Sequence, residues 1–215
     1  MSRRVLLLTS LLGCATARQE SAGEQDADID AAMQAMPDAA KPPVDGAPAG
    51  TCVNAFTGVL ATYSFMGATG NQAQSPVTST ATGMIAGAIT RSTGLTAVSG
   101  ATSINSSNWP LTAQLDATKY YTLTITPPTG CTLSLTSAAI DGRASGTGPA
   151  MAAVATSADS FAATAAVSVT AASTPALSVM NATGAIEIRV YGYAATATGG
   201  TFRLQNALTV TGSLK

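Results

Sequence analysis

Short runs of alternating apolar and polar residues are the feature of this sequence that most constrains its fold. In the run KYYTLTITP, Tyr121, Leu123 and Ile125 alternate with threonines, and similar runs occur in AIEIRVY and TFRLQNALTV. Such alternation is typical of strands in antiparallel sheets that have one buried and one solvated face. The segment PPTG, between KYYTLTITP and the next alternating run CTLSLTS, indicates the turn of a β-hairpin. About ten short strands predict an all-β fold, an antiparallel β-sandwich.

A change of composition near Gly50 divides the chain into regions. Residues 15–50 carry seven acidic side chains, two basic side chains and four prolines. Residues 51–215 carry four acidic and six basic side chains and are rich in Val, Thr, Ile and Leu. Proline and low hydrophobicity favour a disordered segment. We therefore predict a disordered tether over 14–50 and one folded domain over 51–215, which is long enough for one sandwich core.

The amino-terminal residues resemble the signal peptide of a bacterial lipoprotein, which we assign to 1–13. Arg3 and Arg4 precede the apolar run VLLLTSLL, which is much shorter than the roughly 20 residues that cross a bilayer. The run leads into Leu11-Leu12-Gly13-Cys14, which resembles a lipobox. The resemblance implies cleavage before Cys14 and attachment of lipid to its thiol, and several acyl chains give stable membrane anchoring. We therefore expect an exported protein that is lipid-anchored in the bacterial cell envelope, at the outer membrane or cell surface.

The two cysteines that remain after lipidation are Cys52 and Cys131. Exported proteins occupy compartments in which disulfides persist. A bond between Cys52 and Cys131 would fasten the first residues of the domain to a strand of the predicted hairpin. The alternative is that each thiol packs separately in the core, because free cysteine behaves as a small apolar side chain.

Two longer runs resemble a jelly-roll domain that occurs in exported and surface-anchored bacterial proteins. The first, KYYTLTITPPTGCTLSLTSAAIDGRASGTGP, joins a tyrosine-rich strand to a D-x-R-x-S-G-T-G-P segment. The second, IRVYGYAATATGGTFRLQNALTVTG, joins a Y-G-Y strand to a final F-R-L strand, in which Gln205 stands where that family usually has Asp. The resemblance implies a jelly-roll β-sandwich over most of residues 58–212. Because the family is largely uncharacterised and a fold does not define a function, the resemblance implies no activity.

The D-x-R-x-S-G-T-G-P segment supplies two candidate ligand-binding residues, Asp141 and Arg143. On a rigid loop, these two side chains would hydrogen-bond to the hydroxyl groups of a sugar. The alternative is a structural turn, in which the glycines adopt unusual dihedral angles and an ion pair satisfies the backbone.

Aromatic and amide side chains supply further candidates. Trp109, the only tryptophan, either stacks on the apolar face of a sugar ring or fills the core where a strand begins. Tyr120, Tyr191 and Tyr193 have the same two interpretations. Asn206 falls on the apolar face of the last strand, where a buried amide needs partners, and is expected to hold a bulge or a neighbouring loop in place.

The inventory of catalytic and metal-binding groups is poor. The chain has no histidine, so its serines lack the usual general base and its metal sites the commonest ligand. The four carboxylates of residues 51–215 are scattered singly, without the pair that glycoside hydrolysis needs. We therefore predict no enzyme activity, no cofactor and no metal site. The formal net charge of −1 also gives no reason to expect a nucleic-acid partner.

Three functions from different classes follow from these observations. The first is a non-catalytic, membrane-anchored lipoprotein whose β-sandwich binds a surface ligand, with a glycan as the candidate partner. The second is a structural envelope protein that contacts other proteins and has no small ligand. The third is an enzyme, which the residue inventory disfavours. Exposed aromatic side chains gathered on one face would favour the first, whereas a broad apolar patch would favour the second.

Overall fold

The computed structural model describes residues 51–215. The predicted signal peptide, the lipidation site Cys14 and the tether up to residue 50 lie outside the described residues. Within the described residues, no helix is long and apolar enough to span a membrane.

Residues 51–215 form two antiparallel sheets that pack against each other, so the predicted all-β sandwich is confirmed. The first sheet has eight strands, in which β15 lies between β9 and β1. Its strands are β1 (Phe56–Ser64), β3 (Ser79–Thr80), β6 (Thr96–Ala97), β7 (Ser103–Ser107), β9 (Leu133–Ala144), β12 (Ala172–Ser173), β13 (Ala176–Ala182) and β15 (Phe202–Leu214).

The second sheet has seven strands, in which β14 lies between β10 and β8. Its strands are β2 (Gln74–Ser75), β4 (Ile85–Ala86), β5 (Ile89–Arg91), β8 (Tyr120–Thr126), β10 (Pro149–Thr156), β11 (Ala165–Val167) and β14 (Ile186–Ala195). One turn of 3-10 helix, Ser157–Asp159, follows β10. The described residues thus contain more strands than the ten predicted, because several two-residue strands carry no alternation that a sequence pattern reveals.

The alternating runs bury the faces that the sequence predicts. In β8, Tyr121, Leu123 and Ile125 are buried, and the residues between them are partly exposed. In β15, Phe202, Leu204, Leu208 and Val210 point into the core. Side chains from both sheets join in one hydrophobic core, which is the main source of stability in a sandwich of this kind.

The predicted hairpin across PPTG is wrong. β8 pairs with β14 in the second sheet, whereas β9 pairs with β15 in the first, so the segment 127–132 carries the chain from one sheet to the other. Two adjacent prolines, Pro127 and Pro128, lack the backbone N–H groups that a ladder requires. The turn signal was therefore correct, but the partners of the two strands lie far along the chain.

The predicted disulfide is confirmed and lies beside this crossing. Cys52 and Cys131 are bonded, with their Cα atoms 4.6 Å apart and a sequence separation of 79. Cys131 is buried, and Cys52 is partly buried against the core. The bond joins the start of the described domain to the segment that enters β9.

Candidate functional site

Asp141 and Arg143 lie together on the outer face of the first sheet, in β9. The Arg143 Nε donates a hydrogen bond to Asp141 Oδ1 at 2.7 Å, and a terminal nitrogen of Arg143 donates to the carbonyl oxygen of Thr170. The other carboxylate oxygen, Asp141 Oδ2, accepts a hydrogen bond from Asn206 Nδ2 at 2.7 Å. Asp141 is 9% exposed, so these contacts leave little of it for a ligand.

The glycines of the same segment are packed against backbone. A Cβ on Gly142 would lie 2.4 Å from the carbonyl oxygen of Ser168, and one on Gly148 would lie 2.2 Å from that of Thr201. Neither approach is possible for a residue with a side chain. Together with the contacts of Asp141, these approaches fit the structural interpretation of the D-x-R-x-S-G-T-G-P segment.

Asn206 holds a bulge, as one of the two sequence interpretations expected. The register of β15 against β9 shifts by two residues between Leu204 and Leu208, so three residues of β15 lie opposite Asp141. Asn206 has a φ of 59°, a left-handed conformation that asparagine tolerates better than most residues. The prediction that Asn206 is buried is wrong, because the bulge turns the residue away from the core and leaves it exposed.

Trp109 is a core residue and is unavailable to a ligand. It is 1% exposed, and its Nε1 donates a hydrogen bond to the carbonyl oxygen of Ser106 at 2.8 Å. Its ring packs edge-on against Tyr121 and Phe202, with centroid distances of 5.4 and 5.7 Å. The interpretation of Trp109 as a sugar-stacking residue is therefore corrected, because an apolar ring with a satisfied N–H is more stable inside the sandwich.

The outer face of the second sheet gathers the predicted tyrosines with charged partners. Tyr191 of β14 lies opposite Tyr120 of β8, and Tyr193 lies opposite Met151 of β10. We call this surface the aromatic face and define it by Tyr120, Phe161, Tyr191, Tyr193 and Arg189. Tyr120 and Tyr193 are partly exposed, and Met151 is 47% exposed, whereas Tyr191 is covered by its neighbours.

Arg189 is the centre of the aromatic face. Its guanidinium carbon lies 4.1 Å from the centroid of the Tyr120 ring and 3.9 Å from that of Phe161, both within cation–π range. Its Nε donates to Glu187 Oε1 at 2.7 Å. The Thr122 hydroxyl donates to the same Glu187 oxygen at 2.8 Å. The result is a partly exposed guanidinium and carboxylate held in fixed positions between aromatic rings.

The pKa values of this group reflect its compact packing. Burial alone would raise the pKa of Glu187, but the hydrogen bonds from Arg189 and Thr122 and the positive charge of Arg189 outweigh burial and lower it. Burial raises the pKa of Tyr191. Glu187 therefore stays ionised, and Tyr191 stays a neutral donor, across the range in which most proteins work.

Phe161 reaches Arg189 from a strained turn. Ser160 and Phe161 are consecutive residues with φ of 60° and 64°, a region that is unfavourable for a bulky side chain by roughly 1 kcal/mol or more per residue. Glu187 also anchors this turn, because its backbone N–H donates to the Ser157 hydroxyl at 2.9 Å. The contact with Arg189 is one interaction that offsets the strain.

Sequence reasoning identified the three tyrosines but missed Arg189, Glu187 and Phe161. The alternation in AIEIRVY places Glu187, Arg189 and Tyr191 on one face of a strand, and that signal was available. No local pattern connects Phe161 to this face, because its turn follows a different strand.

Two surface cavities lie elsewhere in the described residues. One, of about 260 Å³, lies between β10, β11 and β13 and is lined by small side chains and Asp159. The other, of about 470 Å³, lies along the Pro127–Thr132 crossing beside the disulfide. No group of three His, Cys, Asp or Glu side chains in residues 51–215 is placed to hold a metal ion.

No protein-family model, curated protein or solved structure matches this chain.

Proposed function

We propose that the chain is an exported lipoprotein, anchored in the cell envelope through lipid on Cys14, whose β-sandwich binds a glycan on the aromatic face. The observation that carries the binding role is the fixed grouping of Tyr193, Tyr120, Arg189 and Glu187 on one solvated sheet face. The lipobox-like sequence before Cys14 supports the anchoring.

The chemistry of the aromatic face suits a sugar ring. One face of a pyranose is apolar and stacks on an aromatic ring, while its hydroxyl groups need donors and acceptors nearby. Tyr193 is partly exposed and has no aromatic partner among the described residues, so its ring is the stacking surface. Side chains two residues apart on a strand lie about 7 Å apart, which matches the scale of one sugar unit. A sugar on Tyr193 therefore places its neighbour in the oligosaccharide near Tyr120 and Arg189.

A binding role fits the placement of the carboxylates better than a catalytic role. Glycoside hydrolysis uses two carboxyl groups within about 10 Å of each other across the scissile bond. The two ion-paired carboxylates of the described residues are Asp141, on the outer face of the first sheet, and Glu187, on the outer face of the second. The proposal therefore assigns Glu187 to hydrogen bonding with hydroxyl groups.

The test is a glycan array probed with the full-length chain in detergent and with two variants. Tyr193→Ala removes the stacking ring and is expected to abolish the strongest signals or weaken them roughly tenfold or more. Phe56→Ala is the matched control, because Phe56 is an aromatic residue of the first sheet that is 42% exposed. It is expected to bind like the wild type.

Two outcomes would contradict the proposal. Equal binding by wild type and Tyr193→Ala would remove the aromatic face from recognition. No binding to any glycan would favour the structural alternative, in which the domain contacts envelope proteins without a small ligand.

A further inference from the structure

The outer face of the first sheet contains a positive charge without a counter-charge. Arg203 of β15 lies directly opposite Arg143 of β9, and side chains in such positions are about 5 Å apart at Cβ. Like charges directly opposite each other destabilise a sheet. Asp141 pairs with Arg143 at 2.7 Å, and the other ion pair of residues 51–215 is Glu187 with Arg189, so neither carboxylate compensates Arg203.

Three polar atoms around this charge are buried and have no hydrogen-bond partner. They are Nε of Arg203, Oδ1 of Asn105 and Oε1 of Gln205. Asn105 of β7 lies opposite Arg203 on its other side, and Gln205 is two residues along the same strand face. Buried polar atoms are almost always paired in folded proteins, so three orphans in one neighbourhood call for a partner that the chain does not supply. We call Arg203, Asn105 and Gln205, with the neighbouring Arg143, the arginine row.

We propose that the arginine row binds a sugar acid, a hydroxyl-bearing carboxylate of the uronate class. The chemistry of the row selects this class. The guanidinium of Arg203 offers planar donors that match a carboxylate. The amide oxygens of Asn105 and Gln205 offer acceptors, which need O–H donors on the same ligand. A uronate carries both groups a few ångströms apart, whereas inorganic sulfate has no hydrogen-bond donor.

The site is independent of the aromatic face. The arginine row lies on the first sheet and the aromatic face on the second, so a variant at one surface leaves the contacts of the other in place. Its electrostatics are simple, since Asp141 neutralises Arg143 and leaves one net positive charge on the row. Binding is therefore expected to weaken as ionic strength rises.

The experiment titrates the full-length chain in detergent with D-galacturonate and with D-glucuronate, followed by saturation-transfer NMR. The methyl esters of both sugars are the matched ligands, because esterification removes only the charge. Saturable binding of at least one acid, with roughly tenfold or weaker binding of its ester, supports the proposal. Equal binding of acid and ester, or no binding of either acid, overturns it.

Three variants locate the site. Arg203→Gln removes the charge, and Gln205→Glu keeps the size of the side chain but places a competing carboxylate beside Arg203. Both are expected to weaken acid binding roughly tenfold or more. Lys215→Gln is the control, because it removes an exposed positive charge at the other end of β15 and is expected to bind like the wild type. Gln205→Glu also guards against misfolding, since its charge pairs with Arg203, and wild-type unfolding with lost binding supports the site.

The remaining outcomes separate this proposal from others. Wild-type binding by both arginine-row variants overturns it. Sulfate that displaces the acid at equal concentration also overturns it, because the row would then bind any oxyanion. Loss of acid binding in Tyr193→Ala would assign the acid to the aromatic face and likewise contradict the arginine row.

Discussion

Asn206 donates a hydrogen bond from its side chain to Asp141 at 2.7 Å, across a bulge that separates two strands 65 residues apart in sequence. The same carboxylate accepts from Arg143 through its other oxygen. One buried acid thus holds the final strand, the bulge and the D-x-R-x-S-G-T-G-P segment together. This relationship explains why that segment has a structural role.

Replacement of Asp141 is expected to destabilise the domain strongly. Asp141→Ala leaves Asn206 without its acceptor and Arg143 without its carboxylate, and loss of one partner in such a network lowers the free energy of unfolding by about 2–4 kcal/mol. Urea unfolding measures the change. Asp116→Ala is the control, because Asp116 is a surface acid that bonds only within its own turn, to Thr118, and its loss is expected to change the free energy by about 1 kcal/mol or less. Equal effects in the two variants would contradict the role of Asp141.

Loss of the disulfide is expected to lower stability without changing the fold. Closure of a loop by residues 79 apart stabilises a protein by about 4–5 kcal/mol in the chain-entropy description. Cys52→Ser with Cys131→Ser should therefore unfold at clearly lower urea concentration, whereas Cys14→Ser should unfold like the wild type. Thiol counting on denatured, unreduced protein should find neither Cys52 nor Cys131 reactive. Two reactive thiols at these positions would contradict the bond.

Cys14→Ala is expected to release the protein from membranes. The lipobox-like run before Cys14 is the reason, since the thiol is the attachment point of the lipid. Detergent phase partitioning of the wild type and the variant, both expressed in a bacterium, measures the anchor. If the two proteins partition alike, the lipoprotein assignment fails.

Acid is expected to weaken the domain partly through Glu187. Its pKa is lower in the folded protein, where burial is outweighed by hydrogen bonds from Arg189 and Thr122. A carboxyl group with a lowered folded pKa stabilises the protein above its unfolded pKa, and this contribution disappears as the pH falls through the folded value. Glu187→Gln should therefore lose less stability than the wild type between pH 7 and pH 3. Urea unfolding at both pH values decides, and equal losses would show that Glu187 has no part in the pH dependence.

The faces of the long strands could be predicted because alternation is a local property. The buried sides of β8, β14 and β15 follow directly from the order of apolar and polar residues. Strand partners could not be predicted in the same way. The runs on either side of PPTG are neighbours in sequence, yet each pairs with a strand from the last 30 residues of the chain. Pairing depends on the packing of two whole sheets, which no short window contains.

The candidate sites show the same limit. The tyrosines were visible as aromatic residues in strands, but the contact of Arg189 with Phe161 joins a strand to a turn 28 residues earlier. Burial of Trp109 depends on Tyr121 and Phe202, which flank it from different sheets. The arginine row depends on the register of three strands, in which Arg143, Arg203 and Asn105 fall side by side.

The most direct test of glycan binding on the aromatic face is NMR mapping of the strongest glycan from the array onto the backbone amides of the full-length chain. The account predicts that the largest chemical-shift changes fall at Tyr120 and around Tyr191 and Tyr193, and that they disappear in Tyr193→Ala. Changes confined to other surfaces, or unchanged in Tyr193→Ala, would contradict it.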